Sequence, residues 1–226
     1  MLEGTAASHV ARVLRLRAGD PVTLFNGDGW DYEGIVRAPR SDRVAVELTD
    51  RVEALPESPL RVTLVQAIAR GERMDWVMQK ATELGVARIV PVATERSIVR
   101  LDGDKADRRL AHWRAVTISA CEQCGRARLP EVETPLPFEA WLGRSAGEEL
   151  RCLLAPAGGP PLASIMAAPA GVQLLVGPEG GLTEAESAAA RTAGFSPRSL
   201  GPRILRTETA AIVALAVLQS AAGDLR

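Results

Sequence analysis

The chain has 226 residues, 46% of them apolar, and a formal net charge of −1, which suits one large domain or two modest ones with a substantial core. That balance argues against a protein coated in positive potential, yet all of its 27 basic side chains except Lys80 and Lys105 are arginine, the better bidentate phosphate ligand. The longest apolar run, Ala210 to Leu218, is shorter than a membrane span and no basic-then-apolar leader opens the chain, so a cytoplasmic protein is expected.

A short helix is expected around Ser8 to Leu16. Three alternating runs follow, Pro21 to Phe25, Tyr32 to Val36 and Val44 to Leu48, separated by Gly27-Asp28-Gly29 and Pro39-Arg-Ser-Asp42. Together they predict a small antiparallel barrel over residues 1–56. Leu55-Pro-Glu-Ser-Pro59 reads as a hinge, because two prolines stop both helix and ladder, and a second domain is expected over 59–226.

From Leu60 the period changes. Leu60 to Ile68 reads as a strand, Met74, Val77, Met78, Ala81 and Leu84 recur at helical spacing with Gly85 as the closing residue, and Arg88 to Val92 is the next strand. This is a βαβ unit and predicts a mostly parallel sheet. A long helix over Asp104 to Glu122, a short one over Pro137 to Leu142 and a strand over Leu150 to Leu154 follow. The Ala-rich stretches 163–170 and 188–193 read as helix or loop. The last helix, Glu208 to Ala221, is apolar almost all round, so it must be covered by the sheet or by a second subunit.

Two segments near the carboxyl end carry the chemistry. Leu174-Leu-Val-Gly-Pro-Glu-Gly-Gly-Leu-Thr183 and Leu200-Gly-Pro-Arg-Ile-Leu-Arg-Thr-Glu-Thr-Ala210 each read as a strand running into a glycine loop that opens a helix. Gly177, Gly180 and Gly181 leave room for a ligand to approach the backbone, and Thr183 with Glu186 forms the pattern of a capping box. In open α/β sheets ligands bind at such carboxyl-terminal strand edges.

Several chemistries fail on residue type. A phosphate loop needs Gly-Lys-Ser/Thr where this chain has Glu179, and neither a dinucleotide fingerprint nor G-x-S-x-G is present. Cys121 and Cys124 form C-x-x-C, but His9 and His112 supply no second ligand pair, and the cysteines close a helical pattern instead of opening one; helix-end packing and no metal are expected. The three cysteines give no disulfide framework. What remains is a loop pair suited to a neutral or cationic ligand. Arginines cluster at Arg12, Arg15 and Arg17, at Arg96 and Arg100, at Arg108, Arg109 and Arg114, and at Arg126 and Arg128. Codon bias of a GC-rich genome accounts for their number, so only their position argues for RNA.

The two loop motifs, together with Arg70-Gly-Glu-Arg-Met-Asp-Trp-Val-Met-Gln-Lys-Ala-Thr-Glu-Leu-Gly85 and Ala120-Cys-Glu-Gln-Cys-Gly-Arg126, resemble the SPOUT methyltransferases, and within them the ribosomal RNA small subunit methyltransferase E family. The resemblance runs from about His9 to the end of the chain. It implies a PUA-like RNA-binding barrel before an α/β domain knotted as a trefoil, a homodimer with shared active sites, and S-adenosylmethionine as methyl donor to ring nitrogen 3 of a uridine in small-subunit ribosomal RNA. It also implies a further segment rich in arginine and aromatic residues ahead of His9.

The resemblance assigns donor binding to the backbone around Leu174, Val176, Gly177, Pro178, Gly180 and Gly181, and around Leu200, Gly201, Ile204, Leu205 and Thr207. Arg206 is expected to stabilise the uracil anion, and Glu179 or Glu208 to take the proton. Alternatively, Glu208 is an early-turn carboxylate paired with Arg206. RNA contacts fall to Arg12, Arg15, Arg17, Arg70, Arg73, Gln123 and Arg126. Arg73 and Lys80 have a simpler reading as helix-surface partners of Glu72 and Glu83, and Arg126 as a helix C-terminal cap. A non-catalytic RNA-binding assembly factor of the same fold, and a SPOUT enzyme acting on transfer RNA, are the competing functions.

Overall fold

The computed structural model describes residues 1–97, 103–144, 147, 149–156, 158–165 and 170–225. Arg100 and residues 166–169 of the first Ala-rich stretch therefore lie outside the described residues. The chain divides into two compact units, Met1–Pro56 with Gly125–Leu129, and Glu57–Cys124 with Pro130–Arg226. The short return of 125–129 to the first unit has no signature in sequence periodicity, because it rests on pairing with distant residues. Gly27 and Asp28 form β-bridges to Arg128.

In the first unit, β1 (Leu2–Glu3), β2 (Pro21–Leu24), β3 (Trp30–Pro39) and β4 (Arg43–Glu53) form an antiparallel sheet in the order β1-β4-β3-β2. Two register shifts along the β3–β4 ladder bend the long strands, the usual effect of bulges. The predicted helix is displaced. It occupies Gly4–Ser8 (α1) and continues as a wide turn over His9–Val13, stopping before Leu16. Burial decides this, since Ala7 and Val10 pack with Val36 and Val44 in the small core. Arg15, at φ 56°, ends the turn in the left-handed conformation that glycine usually supplies, and the Leu16 amide closes back on the Val10 carbonyl.

The second unit is an α/β layer structure. Its strands are β5 (Val62–Ala67), β6 (Arg88–Ala93), β7 (Glu131–Val132), β8 (Leu136–Pro137), β9 (Leu150–Leu154), β10 (Val172–Val176) and β11 (Ser196–Arg198). They pair in the order β11-β9-β10-β5-β6-β7, with β8 also on β6, and every pairing is parallel. The helices are α2 (Glu72–Glu83), α3 (Gly103–Cys124), α4 (Phe138–Leu142), α5 (Glu184–Thr192) and α6 (Thr207–Ala222).

Strand alternation sends side chains to both faces of this sheet. Val62, Leu64, Leu174 and Val176 join Met78 of α2, Trp113 of α3 and Leu215 of α6 in one core. On the opposite face Val65, Val90 and Leu175 meet Phe138 and Trp141 of α4 and Ala190 of α5. Ala211, Ala214, Leu215 and Leu218 of α6 are fully buried beneath the sheet, while Ile212, Val213 and Ala216 stay partly exposed. Gly85, at φ 73°, follows α2 as anticipated. The strand before the second motif is Ser196–Arg198, so Leu200 and Gly201 already belong to the loop. Cys121 and Cys124 close α3, where the Cys124 thiol points to the Cys121 carbonyl.

Candidate functional site

Three loops leave the carboxyl ends of parallel strands on the same edge of the sheet: 68–71 after β5, 177–183 after β10 and 199–206 after β11. β5 and β10 are neighbours, yet the chain turns from β5 into α2 on one face and from β10 into α5 on the other. Such a divergence opens a crevice at the strand ends.

The loop after β10 is pinned along its length. At its far end Thr183 caps α5, its hydroxyl accepting from the Glu186 amide at 3.2 Å while the Glu186 carboxylate accepts from the Thr183 amide at 2.8 Å. The other Glu186 oxygen accepts from the Glu95 amide at 2.9 Å, which ties the loop after β6 to the same point. Arg96 donates to the Gly180 carbonyl at 2.8 Å. Glu179 accepts from the Arg70 amide at 3.1 Å and from the Arg73 guanidinium at 2.8 Å. Burial pushes the Glu179 carboxyl up, but the amides of Arg70 and of Glu179 itself and the Arg73 guanidinium outweigh it and hold the group below its ordinary range.

Arg73 also lies 3.8 Å from Glu208, whose side chain is only 11% exposed and whose Oε2 is buried with no hydrogen-bond partner among the described residues. The expected partner of Glu208, Arg206, is not engaged with it. Arg206 stands exposed as the N-cap residue of α6, and among the described residues no hydrogen bond or ion pair holds its guanidinium.

The glycines fit a ligand cradle. A Cβ on Gly177 would sit 3.1 Å from the Leu182 amide nitrogen, and Gly181 and Gly201 adopt φ of 69° and 109°, where side chains are strained. Pro178 is buried, Leu200 and Leu205 are half-buried, and Ile204 is 85% exposed. Leu174 lies elsewhere: it is paired to Leu64 on one side and Cys152 on the other, inside the sheet. Val176 pairs with Gln66 at the last position of β10. Thr207 is buried, and its hydroxyl donates to the Gly177 carbonyl at 2.6 Å.

Of the residues expected to face RNA, Arg73 is turned into the carboxylate pair, and Arg70 keeps an exposed side chain above its committed amide. Lys80 pairs with Glu83 at 2.8 Å. Gln123 is exposed in the last turn of α3, whereas Arg126 follows in the first unit and is half-buried. Arg12, Arg15 and Arg17 are all exposed in the first unit. Sequence reasoning missed Gln66, fully buried and donating to Thr207 at 2.9 Å; a lone amide in the apolar run Leu60 to Ile68 was its signal.

The molecule's relatives agree with this geometry. A family described as an RNA methyltransferase domain matches residues 56–219, and one described as an RNA methyltransferase PUA domain matches residues 2–49. The ribosomal RNA small subunit methyltransferase E of Synechocystis is 36% identical over 96% of this chain and 71% of its own length. The crystal structure of the Neisseria gonorrhoeae methyltransferase E bound to S-adenosylmethionine superposes with a TM-score of 0.92 at 37% identity, covering 100% of this chain and 92% of the other. A Legionella pneumophila methyltransferase bound to the same cofactor also gives 0.92, at 44% identity over 99% of this chain and 92% of its own. Agreement on this scale, across both units and through the loops at the crevice, means that the chain belongs to the ribosomal RNA small subunit methyltransferase E family.

Proposed function

We propose that the chain, a ribosomal RNA methyltransferase dependent on S-adenosylmethionine, methylates ring nitrogen 3 of one uridine in small-subunit ribosomal RNA. The glycine cradle of 177–181 and 200–205 fits the donor, since Gly181 and Gly201, at positive φ and facing open space, leave backbone groups free to line a flat ring. The bound donor supplies an electrophilic methyl group: the N–C bond forms as the C–S bond breaks, and the imide proton of uracil leaves.

The chain's own residues then have separable tasks. The observation that carries the reading is a pair at the start of α6: the exposed guanidinium of its N-cap residue Arg206, unengaged among the described residues, and the buried Glu208 of its first turn. Arg206 offers positive charge to the oxygens of the uracil anion, and Glu208, with one oxygen unpartnered, accepts the proton directly or through water. Glu179 is held ionised by Arg70 and Arg73 and serves the crevice as structure and field. Nitrogen 3 is hidden by base pairing, so the target uridine is taken unpaired or flipped out. The first unit grips the flanking RNA through Arg12, Arg15 and Arg17.

Ile212, Val213 and Ala216 of α6 are partly exposed and Trp76 of α2, the helix packed on α6, is 54% exposed; apolar surface of this kind suits a second copy, and we read the active unit as a homodimer. A trefoil knot in this unit is what membership of the family implies. Cytoplasmic residence follows from the substrate.

Incubating the protein and labelled donor with small ribosomal subunits lacking the modification tests the reading. Label on nitrogen 3 of one uridine supports it. Label on transfer RNA alone, or none at all, rejects it in favour of the two competing functions.

A further inference from the structure

Gln66 has no exposed surface, yet it sits at the end of the strand that opens the crevice and takes no part in the chemistry just described. Its Nε2 donates to the Ala67 carbonyl and to the Thr207 hydroxyl, both at 2.9 Å. A carbonyl can only accept, so the amide nitrogen must face this way. A hydroxyl has one proton. With Gln66 filling its acceptor side, the Thr207 proton is directed at the Gly177 carbonyl, 2.6 Å away.

That carbonyl is an unusual target. The peptide it belongs to joins Gly177 to Pro178, and proline has no N–H, so the carbonyl oxygen is the only polar handle by which the protein can orient this peptide plane. The plane stands where β10 hands over to the glycine loop. Beyond it the loop is fixed by Glu179, Gly180 and Thr183, as described above. The entry is held from within, through the Thr207 hydroxyl.

We infer that Gln66 is a donor-positioning residue: through the Thr207 hydroxyl it sets the direction of the Gly177–Pro178 peptide, and so the shape of the adenosine side of the cradle. This rests on the reading of the cradle as the S-adenosylmethionine site. Gln66 touches neither donor nor RNA. Its effect belongs in donor affinity, because its bonds run to the Gly177–Pro178 peptide and not to the side chains of Arg206 or Glu208.

The test compares Thr207→Val, which keeps shape and removes both bonds, with Thr207→Ser, which keeps the hydroxyl, and Gln66→Leu, which frees the hydroxyl rotor. Donor affinity is measured by calorimetry, and initial rates on small ribosomal subunits are followed against donor concentration. Thr207→Val and Gln66→Leu are expected to raise Kd and KM for the donor about tenfold, the scale of one lost hydrogen bond, and in Gln66→Leu kcat should stay within about twofold of wild type. Thr207→Ser should restore wild-type values, and the double variant should be no worse than either single one, since the chain of bonds acts as a unit. Wild-type KM in Thr207→Val, equal loss in Thr207→Ser, or a fall confined to kcat would overturn the inference. Absence of donor binding by the wild-type protein would instead sink the reading of the cradle. Circular dichroism of each variant guards against misfolding; if Thr207→Val unfolds, the comparison of Gln66→Leu with Thr207→Ser still decides.

Discussion

Replacing Arg73 by alanine removes a cation that faces both Glu179 and Glu208. The guanidinium lies 2.8 Å from Glu179 and 3.8 Å from Glu208, with side-chain exposures of 43%, 26% and 11% for Arg73, Glu179 and Glu208. An exposed pair contributes about 0–1 kcal/mol, and breaking a fully buried one costs about 3–5 kcal/mol. This clamp stands between the two limits, so a loss of about 1–2 kcal/mol at pH 7 is expected, read as a lower urea midpoint at unchanged slope. The pH dependence identifies the cause. The Glu179 carboxyl is held below its ordinary range in the folded state, so its contribution is complete above the unfolded glutamate value of about 4.3 and fades as pH falls through the lower folded value. The penalty of Arg73→Ala should therefore shrink below about pH 4. An equal penalty at pH 7 and at the lowest pH where the protein stays folded would assign the loss to packing, and no penalty at pH 7 would refute the clamp.

Other substitutions probe separate parts of the account. Arg206→Ala should lower turnover by roughly 10²–10³ with donor affinity nearly unchanged, as for removal of one transition-state donor; an unchanged rate would make that arginine structural. Thr183→Ala removes the capping box of α5 and should cost about 1 kcal/mol in a thermal or urea melt. Gly159→Ala would bring a Cβ within 2.3 Å of the Pro197 carbonyl at φ 86°, whereas Gly158 at φ 103° faces open space, so the first variant should be several-fold more destabilising than the second, whose cost is about 1 kcal/mol. Sedimentation should find two chains per particle, and Ile212→Glu should shift that population to monomer; a monomeric wild type with full activity would contradict the shared site.

What could be read from the sequence was whatever local periodicity and caps encode. Val172–Val176 and Leu150–Leu154 end where the apolar runs end, and the Thr183–Glu186 box and the Gly85 stop depend on residues a few positions apart. The pairing of Lys80 with Glu83 is equally local. Arg73 shows the limit. Its neighbour Glu72 looks like a partner, but the carboxylate it meets is 106 residues away and becomes adjacent only when β5 and β10 pair. Arg206 fails as a partner for Glu208 for the same reason, because Arg73 arrives from the other strand end. Gln66 was overlooked since a polar residue in an apolar strand has no pattern of its own; its meaning lies in Thr207, 141 residues on. In the first unit the helix began at Gly4 because Ala7 and Val10 reach the sheet core, which a search for cap residues does not anticipate.

The central claim is that the loops at the β5–β10 edge deliver a methyl group to nitrogen 3 of one small-subunit uridine. Small ribosomal subunits lacking the modification, incubated with protein and S-adenosylmethionine and then digested for nucleoside mass spectrometry with reverse-transcription mapping, test it most directly. The account predicts 3-methyluridine at a single position, lost in Arg206→Ala. Methylation at carbon 5, at a ribose hydroxyl or at many scattered sites would contradict it.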